Sequence, residues 1–233
     1  MEAAGFESGR KEFGAWGGYK ELRLAARYEA KQPERGPVAT LCPVSIRPEV
    51  RFCCTCGHAI VRRVPRGDTR ERDCCDACGA IHYANPRPVV GTIPVWEDQR
   101  ILLCRRAIDP RYGKWTLPAG FMEVGETTAQ GAQRETIEEA RANIELGPLF
   151  SMIDVPGVEQ IHLFFRARLL DLSFAAGEET LEVQLFEESR IPWDEIAFRT
   201  VSTTLRLFFE DRLRGSGGTY TRSLPVQVAH AEG

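Results

Sequence analysis

The chain has 233 residues, 43% of them hydrophobic, and a formal net charge of −3. That suits a globular protein with one fair-sized domain and small additions, and it removes the electrostatic case for nucleic acid as the main partner. No apolar run approaches the length of a membrane-spanning helix. The first residues carry Glu2, Glu7 and Glu12 and no apolar core. This is unlike a signal or transit peptide, and the expected location is the cytoplasm. Eight cysteines are many, but their spacing points to metal in a reducing compartment rather than to disulfides.

Residues 1–49 mix Gly, Ala, Glu and Arg without a clear period, apart from a short helical run near 19–30. Pro33, Pro37, Pro43 and Pro48 interrupt the remainder of this segment. A disordered extension is expected there. No methionine lies between Met1 and Met122, so a start at a non-Met codon near Val50 is one hypothesis. From 50 to 86, RFCCTCGH and DCCDACGAIHY hold two Cys-x-x-Cys pairs, Cys53 with Cys56 and Cys75 with Cys78, with 18 residues between them. That is zinc-ribbon spacing, two knuckles closing on one tetrahedral thiolate site. Gly57 and Gly79 suit the tight turn of each knuckle. Cys54 and Cys74 are spare thiols, and His58 and His82 are not needed as ligands. So short a segment buries too little apolar surface to fold alone, so zinc is expected to supply the folding energy as a structural ion. Arg62, Arg63, Arg66, Arg70 and Arg72 make a local basic strip that keeps a nucleic-acid or protein contact open.

Next, PVVGTIPVW reads as a strand, 97–99 as a turn and RILLCRR as the partner strand. Cys104 is expected in the core. Of Arg105 and Arg106, which end that strand, Arg105 is assigned to the substrate. DPRYGKWTLPAG is a loop in which Lys114 and Trp115 come near the substrate, Trp115 chiefly as packing. Then Gly120 is followed by Glu126, by Arg134-Glu135 and by Glu138-Glu139. On a helix, 135, 138 and 139 stand at i, i+3 and i+4, so three carboxylates share one face. Arg134 and Arg141 cannot neutralise all three, and a hard divalent cation, magnesium or manganese, is the usual remedy. Thr127 and Gln130 fit a capping box, which starts the helix just after Glu126. Ala132, Thr136 and Ala140 form a small-residue stripe that lets the helix lie close to a sheet, with Ala129 and Ile137 adding apolar content beside it. Beyond it, 150–155 and QIHLFFRARLL read as strands, and His162 as a packed or edge histidine. Residues 174–182 read as a polar loop whose Glu178, Glu179 and Glu182 either reach the metal site or face solvent. VQLFEE is a strand, IPWDEIAF opens a short helix, STTLRLFFEDRLR is a final amphipathic helix, and the chain frays from Gly215.

The stretch from Gly120 resembles the Nudix box, whose pattern Gly120, Glu126, Arg134, Glu135, Glu138 and Glu139 match at the right spacing. WTLPAG resembles the usual lead into it. Thr136 stands in place of an apolar residue and Arg141 in place of the final glycine, so Asn143 is expected to take the left-handed cap. The resemblance implies an α+β fold, a Nudix α/β/α sandwich with a mixed sheet over 87–214, preceded by the ribbon and followed by a flexible tail, 215–233. A ribbon joined to such a domain resembles NADH pyrophosphatases and, in runs such as GKWTLPAGFME and IPWDEIAF, a group related to ADP-ribose and FAD pyrophosphatases. The downstream Ser-Gln-Pro-Trp-Pro-Phe run of the first group is missing, which favours the second. The resemblance then implies magnesium- or manganese-dependent hydrolysis of an ADP-linked metabolite to AMP and a phosphorylated half. Glu135, Glu138 and Glu139 would be the metal ligands, with Glu126 and Arg134 supporting them. Gly120, Arg105 and Glu182 would meet the substrate. A homodimer is an open expectation. A sensor that binds a nucleotide without cleaving it is the alternative of a different class.

Overall fold

The computed structural model describes residues 50–225, so the expectations for 1–49 lie outside the described residues. The ribbon is a three-stranded antiparallel sheet of β1 (Val61–Arg63), β2 (Arg72–Cys74) and β3 (Ile81–His82). Its two knuckles repeat the same bonds: Gly57 N–H donates to Cys53 O at 2.8 Å and Gly79 N–H to Cys75 O at 2.9 Å. Both glycines have φ +75° with open space where a Cβ would sit. Glycine is therefore required here by conformation and not by crowding.

The larger part takes up β4 (Arg87–Val95), β5 (Ile101–Arg106), β6 (Trp115–Thr116), β7 (Ala119–Phe121), α1 (Thr128–Ala140), β8 (Ile144–Val155), β9 (Gln160–Leu169), β10 (Thr180–Phe186), α2 (Arg199–Arg214) and β11 (Tyr220–Ser223). The sheet order is β10-β5-β4-β9-β8-β11, with β6 beside β5 and β7 beside β4. β4–β9 and β8–β11 are parallel and the other pairs antiparallel, so the sheet is mixed. The strands' period of two divides their apolar residues between two faces. Ile101, Leu103 and Phe164 pack with Val201, Leu205 and Phe208 of α2. Leu102 and Cys104 pack with Ala140, and Phe165 with Ala132 of α1. Helices thus cover both faces, as the sandwich expectation has it. Trp115 belongs to the α2 side, edge-on to Phe186 at 4.9 Å.

The expected capping box forms: Thr127 Oγ1 accepts from Gln130 N–H at 3.2 Å and Gln130 Oε1 from Thr127 N–H at 2.8 Å. Ala132, Thr136 and Ala140 are fully buried. Thr136 replaces an apolar residue because Thr92 lies opposite: the hydroxyls meet at 2.7 Å, and Thr136 also donates to Ala132 O at 2.8 Å. Ile137, by contrast, is half exposed.

The expected loop 109–120 contains β6 and the start of β7, and four further expectations need correction. The left-handed cap is Arg141 (φ 48°, ψ 29°), not Asn143, whose side chain instead donates to Asp171. The segment after β9 docks onto this helix end: Ala175 N–H donates to Ala140 O at 2.9 Å and Gly177 N–H to Glu139 O at 3.0 Å, satisfying carbonyls the helix leaves free. A Cβ on Gly177 would lie 1.7 Å from Glu138 O. Second, β10 begins at Thr180, so Glu182 is a strand residue and not part of the loop. Third, 193–195 is a single 3-10 turn. Fourth, the tail does not fray at Gly215. β11 pairs in parallel with the free edge of β8, and the hydroxyls of Ser216 and Tyr220 donate to buried Asp211, which also pairs with Arg166. Open strand edge and buried charge together draw residues 216–223 onto the sheet. Among the described residues no helix is long and apolar enough to cross a membrane.

Candidate active site and zinc centre

Arg134 sits at the centre of the acidic face. Its Nε and Nη2 fork onto both oxygens of Glu126 at 3.1 and 2.8 Å. Its Nη1 donates to Glu135 Oε1 at 2.7 Å and Glu138 Oε2 at 2.9 Å, and Nη2 also reaches Phe121 O at 3.1 Å. The Arg134 fork, helped by Glu123 N–H, holds the Glu126 carboxyl down at about 2. Glu135 is 9% exposed, and burial raises its pKa against the pull of Arg134. Glu139 is 8% exposed and accepts one backbone bond, from Ala119 N–H at 3.1 Å. Burial, reinforced by the charges of Glu135 and Glu179, pushes it up to about 8 despite that bond and the charge of Arg106.

Two glycines seat these acids. A Cβ on Gly120 would lie 2.3 Å from the Glu135 carboxyl atoms, and one on Gly131 would lie 2.5 Å from Glu126 Oε1. The space that Gly120 leaves is therefore filled by Glu135, not kept for a substrate. The donor set fits a hard cation on chemical grounds. Three carboxylates share a face with one arginine among them, and the most buried one lacks a positive partner at hydrogen-bond distance.

These residues open onto a cleft of about 1910 Å³, which Gly120, Arg134, Glu135, Glu138 and Glu139 all line. Glu126 stands behind it, held by Arg134. Arg105 and Glu182, assigned to the substrate from the sequence, are not in the lining. They face each other across β5 and β10 at 3.6 Å, and Arg105 Nε is spent on Gly113 O at 3.0 Å. Arg106 and Glu179 line the cleft instead, together with Lys114 and Glu178. The alternation of β5 accounts for the swap: Arg106 continues the α1 face of Leu102 and Cys104, and Arg105 the opposite one. The strand pattern shows that the two arginines part company, but which face carries the acidic helix is a tertiary fact. His162 also lines the cleft. It is buried, its Nε2 lies 2.9 Å from Gln160 Oε1, and burial lowers its pKa to about 4. It is therefore neutral at pH 7, in keeping with a packed histidine. Cys104 is buried, and burial, with Glu139 nearby, raises its thiol well above the ordinary range, so it is inert core.

In the ribbon, the sulfurs of Cys53, Cys56, Cys75 and Cys78 all lie within 4.8 Å of one another, the one metal-sized group of this closeness among the described residues. Cys53 and Cys78 are 3.7 Å apart and Cys56 and Cys75 3.4 Å. A tetrahedron with Zn–S bonds of ~2.3 Å requires ~3.8 Å, so the quartet fits zinc. Burial opposes ionisation of Cys53, but bonds from the Thr55 and Cys56 backbone and from His82 bring it to about 5. His82 Nε2 lies 3.3 Å from Cys53 Sγ and so supports a ligand without being one of the four. Cys74 turns away toward Arg63 O and Arg72 O, and Cys54 is exposed.

The NUDIX domain model matches residues 85–205 and the Nudix N-terminal model residues 51–84. The NAD-capped RNA hydrolase NudC of Edwardsiella ictaluri (strain 93-146) is 29% identical over 167 residues, 69% of this chain and 59% of that protein. The ADP-ribose pyrophosphatase of Methanocaldococcus jannaschii is 28% identical over 114 residues, 47% of this chain and 67% of that protein. The chain thus spans 59% of the length of the first of these relatives. A crystal structure of a NUDIX hydrolase from Nitrosomonas europaea superposes with TM-score 0.72 at 48% identity, covering 75% of this chain and 99% of that one. The first match runs from just before β4 into α2, across the residues that build the cleft and seat its acids, and by it the chain belongs to the NUDIX domain family.

Proposed function

We propose that the protein hydrolyses the pyrophosphate bond of an ADP-linked metabolite of the FAD or ADP-ribose type, releasing AMP and a phosphorylated half. The observation that carries this reading is the Arg134-held carboxylate face, with under-neutralised Glu139, opening onto a cleft with ample room for a dinucleotide. Glu135, Glu138 and Glu139 would hold magnesium or manganese, which when bound neutralises diphosphate charge and makes a water more acidic. The chain's own residues supply the rest. Arg134 fixes the orientation of Glu126, Glu135 and Glu138. Arg106 and Lys114 offer positive charge to phosphate oxygens. Glu179, near enough for its charge to raise Glu139, takes the proton of the attacking water. Structural zinc holds the ribbon. We place the protein in the cytoplasm with a small nucleotide as its partner and treat a homodimer as compatible with this reading.

A second reading, cleavage of NADH or of an NAD-type cap, is favoured by the name of the Edwardsiella relative and opposed by the missing Ser-Gln-Pro-Trp-Pro-Phe run. A panel of FAD, ADP-ribose and NADH with either metal, reading AMP and the partner product, separates the two. No AMP from any substrate defeats both, and nucleotide binding without turnover then supports a sensor.

A further inference from the structure

The first turn of α2 breaks two ordinary rules of helix starts. Its N-cap, Phe198, offers no side-chain acceptor, and the turn holds no acid but begins with Arg199. The N–H groups of Arg199, Thr200 and Val201 have no acceptor within the helix, and the Arg199 charge adds to the positive end of the helix dipole instead of offsetting it. The nearest preceding acids, Asp194 and Glu195, belong to the 3-10 turn. Independently, Thr200 is 3% exposed and its hydroxyl is the one buried side-chain polar atom without a hydrogen-bond partner among the described residues. Such atoms almost always have one. Arg199, Thr200 and Val201 line the same cleft as Glu135 and Glu139.

The chain fixes how far this end lies from the acids. Ala197 N–H donates to Trp115 O at 2.8 Å, and Ile196 bridges to Trp115. Ala119, whose N–H holds Glu139, is four residues further along the same segment. Extended chain of that length spans at most ~13 Å. The acidic wall and the uncapped helix end are therefore two sides of one cleft, tied together through Trp115 and Ala119.

We propose that the N-terminus of α2 is a phosphate subsite of the cleft. The Thr200 hydroxyl and the free N–H groups of the first turn donate to phosphate oxygens, and Arg199 balances the charge. The inference rests on the cleft being a nucleotide site. The phosphate is either one of the scissile diphosphate or a further phosphate carried on the nucleoside.

The test begins with zinc-loaded protein, no magnesium or manganese added, titrated with inorganic phosphate while the amide resonances of residues 199–201 are followed. Saturable shifts are expected, with affinity about tenfold lower in Thr200→Val, the loss of one hydrogen bond to a charged group. Thr200→Val conserves shape and removes an unpaired hydroxyl, so folding is expected to hold. Arg199→Gln gives a second reading if it does not. Absent shifts, or shifts unchanged in both variants, overturn the proposal. Turnover then assigns the source. If the variants raise KM for ADP-ribose and for its 2′-phosphorylated form alike, the site takes the diphosphate. If KM rises only for the phosphorylated form, it takes the additional phosphate. KM unchanged for both overturns the proposal. Because the phosphate titration needs no turnover, a failure of the hydrolase reading and a failure of this site give different results.

Discussion

Replacing Gly120 with alanine tests how the site is seated. The added methyl would lie 2.3 Å from the Cδ and both oxygens of Glu135, far inside contact distance. Gly120 does not have a positive φ, so the substitution acts through space and not through backbone strain. Either Glu135 swings out, breaking its 2.7 Å bond to Arg134, or β7 shifts and carries Ala119 N–H away from Glu139. The first route is the cheaper. A charge-assisted bond contributes ~1.5–3 kcal/mol, and part of its loss is offset because burial already disfavours the Glu135 carboxylate there. A net cost of about 1 kcal/mol in stability is expected, a shift of a few degrees in Tm. Activity should suffer far more, about 10²–10³-fold in kcat/KM, as for other losses of preorganised charge at a reacting centre. AMP release measured beside thermal melts gives both numbers. Glu135→Ala supplies the control: in that background the methyl has nothing to strike, so Gly120→Ala should cost little more. Wild-type turnover in the single variant, or a full further loss in the double variant, would refute the reasoning.

The same geometry sets other outcomes. Glu139→Gln should lower kcat by about 10²-fold or more at saturating metal, since it removes a proposed ligand while keeping the shape; near-normal turnover in steady-state assays counts against that assignment. Cys56→Ser should reduce folded yield and zinc content while leaving the chemistry of surviving protein intact, and a stable, soluble, zinc-free variant would contradict a structural role. His162 links stability to acid. Its folded pKa of about 4 lies below the ordinary 6.5, so between those values the unfolded chain binds the extra proton. Stability is then complete above pH 6.5 and falls by about 3 kcal/mol as pH drops to 4. Urea melts across that window should show His162→Gln lacking this part of the slope.

What the sequence made legible is what local spacing dictates. The i, i+3, i+4 carboxylates, the Thr127 and Gln130 cap and the two Cys-x-x-Cys knuckles are written within short stretches, and the structure forms each of them. Most of the errors share one cause, a partner distant in the chain. Arg105 and Arg106 are indistinguishable until β10 and α1 choose their faces. Arg141 reads as a poor helix terminator until residues 175–177 donate to the helix-end carbonyls. The run GSGGTYTR has the composition of a frayed end, yet buried Asp211 and the open edge of β8 hold it. Thr136, a departure from the family pattern, is explained only by Thr92, 44 residues earlier. The departures from the family pattern at Thr136 and Arg141 are thus places where this chain answers its own tertiary neighbours. The docking of Gly177 joins two of them: the segment that relieves the helix end also carries Glu178 and Glu179 to the cleft wall. Termination of the acidic helix and delivery of the proposed base are one packing event, so a change in either should be felt in both.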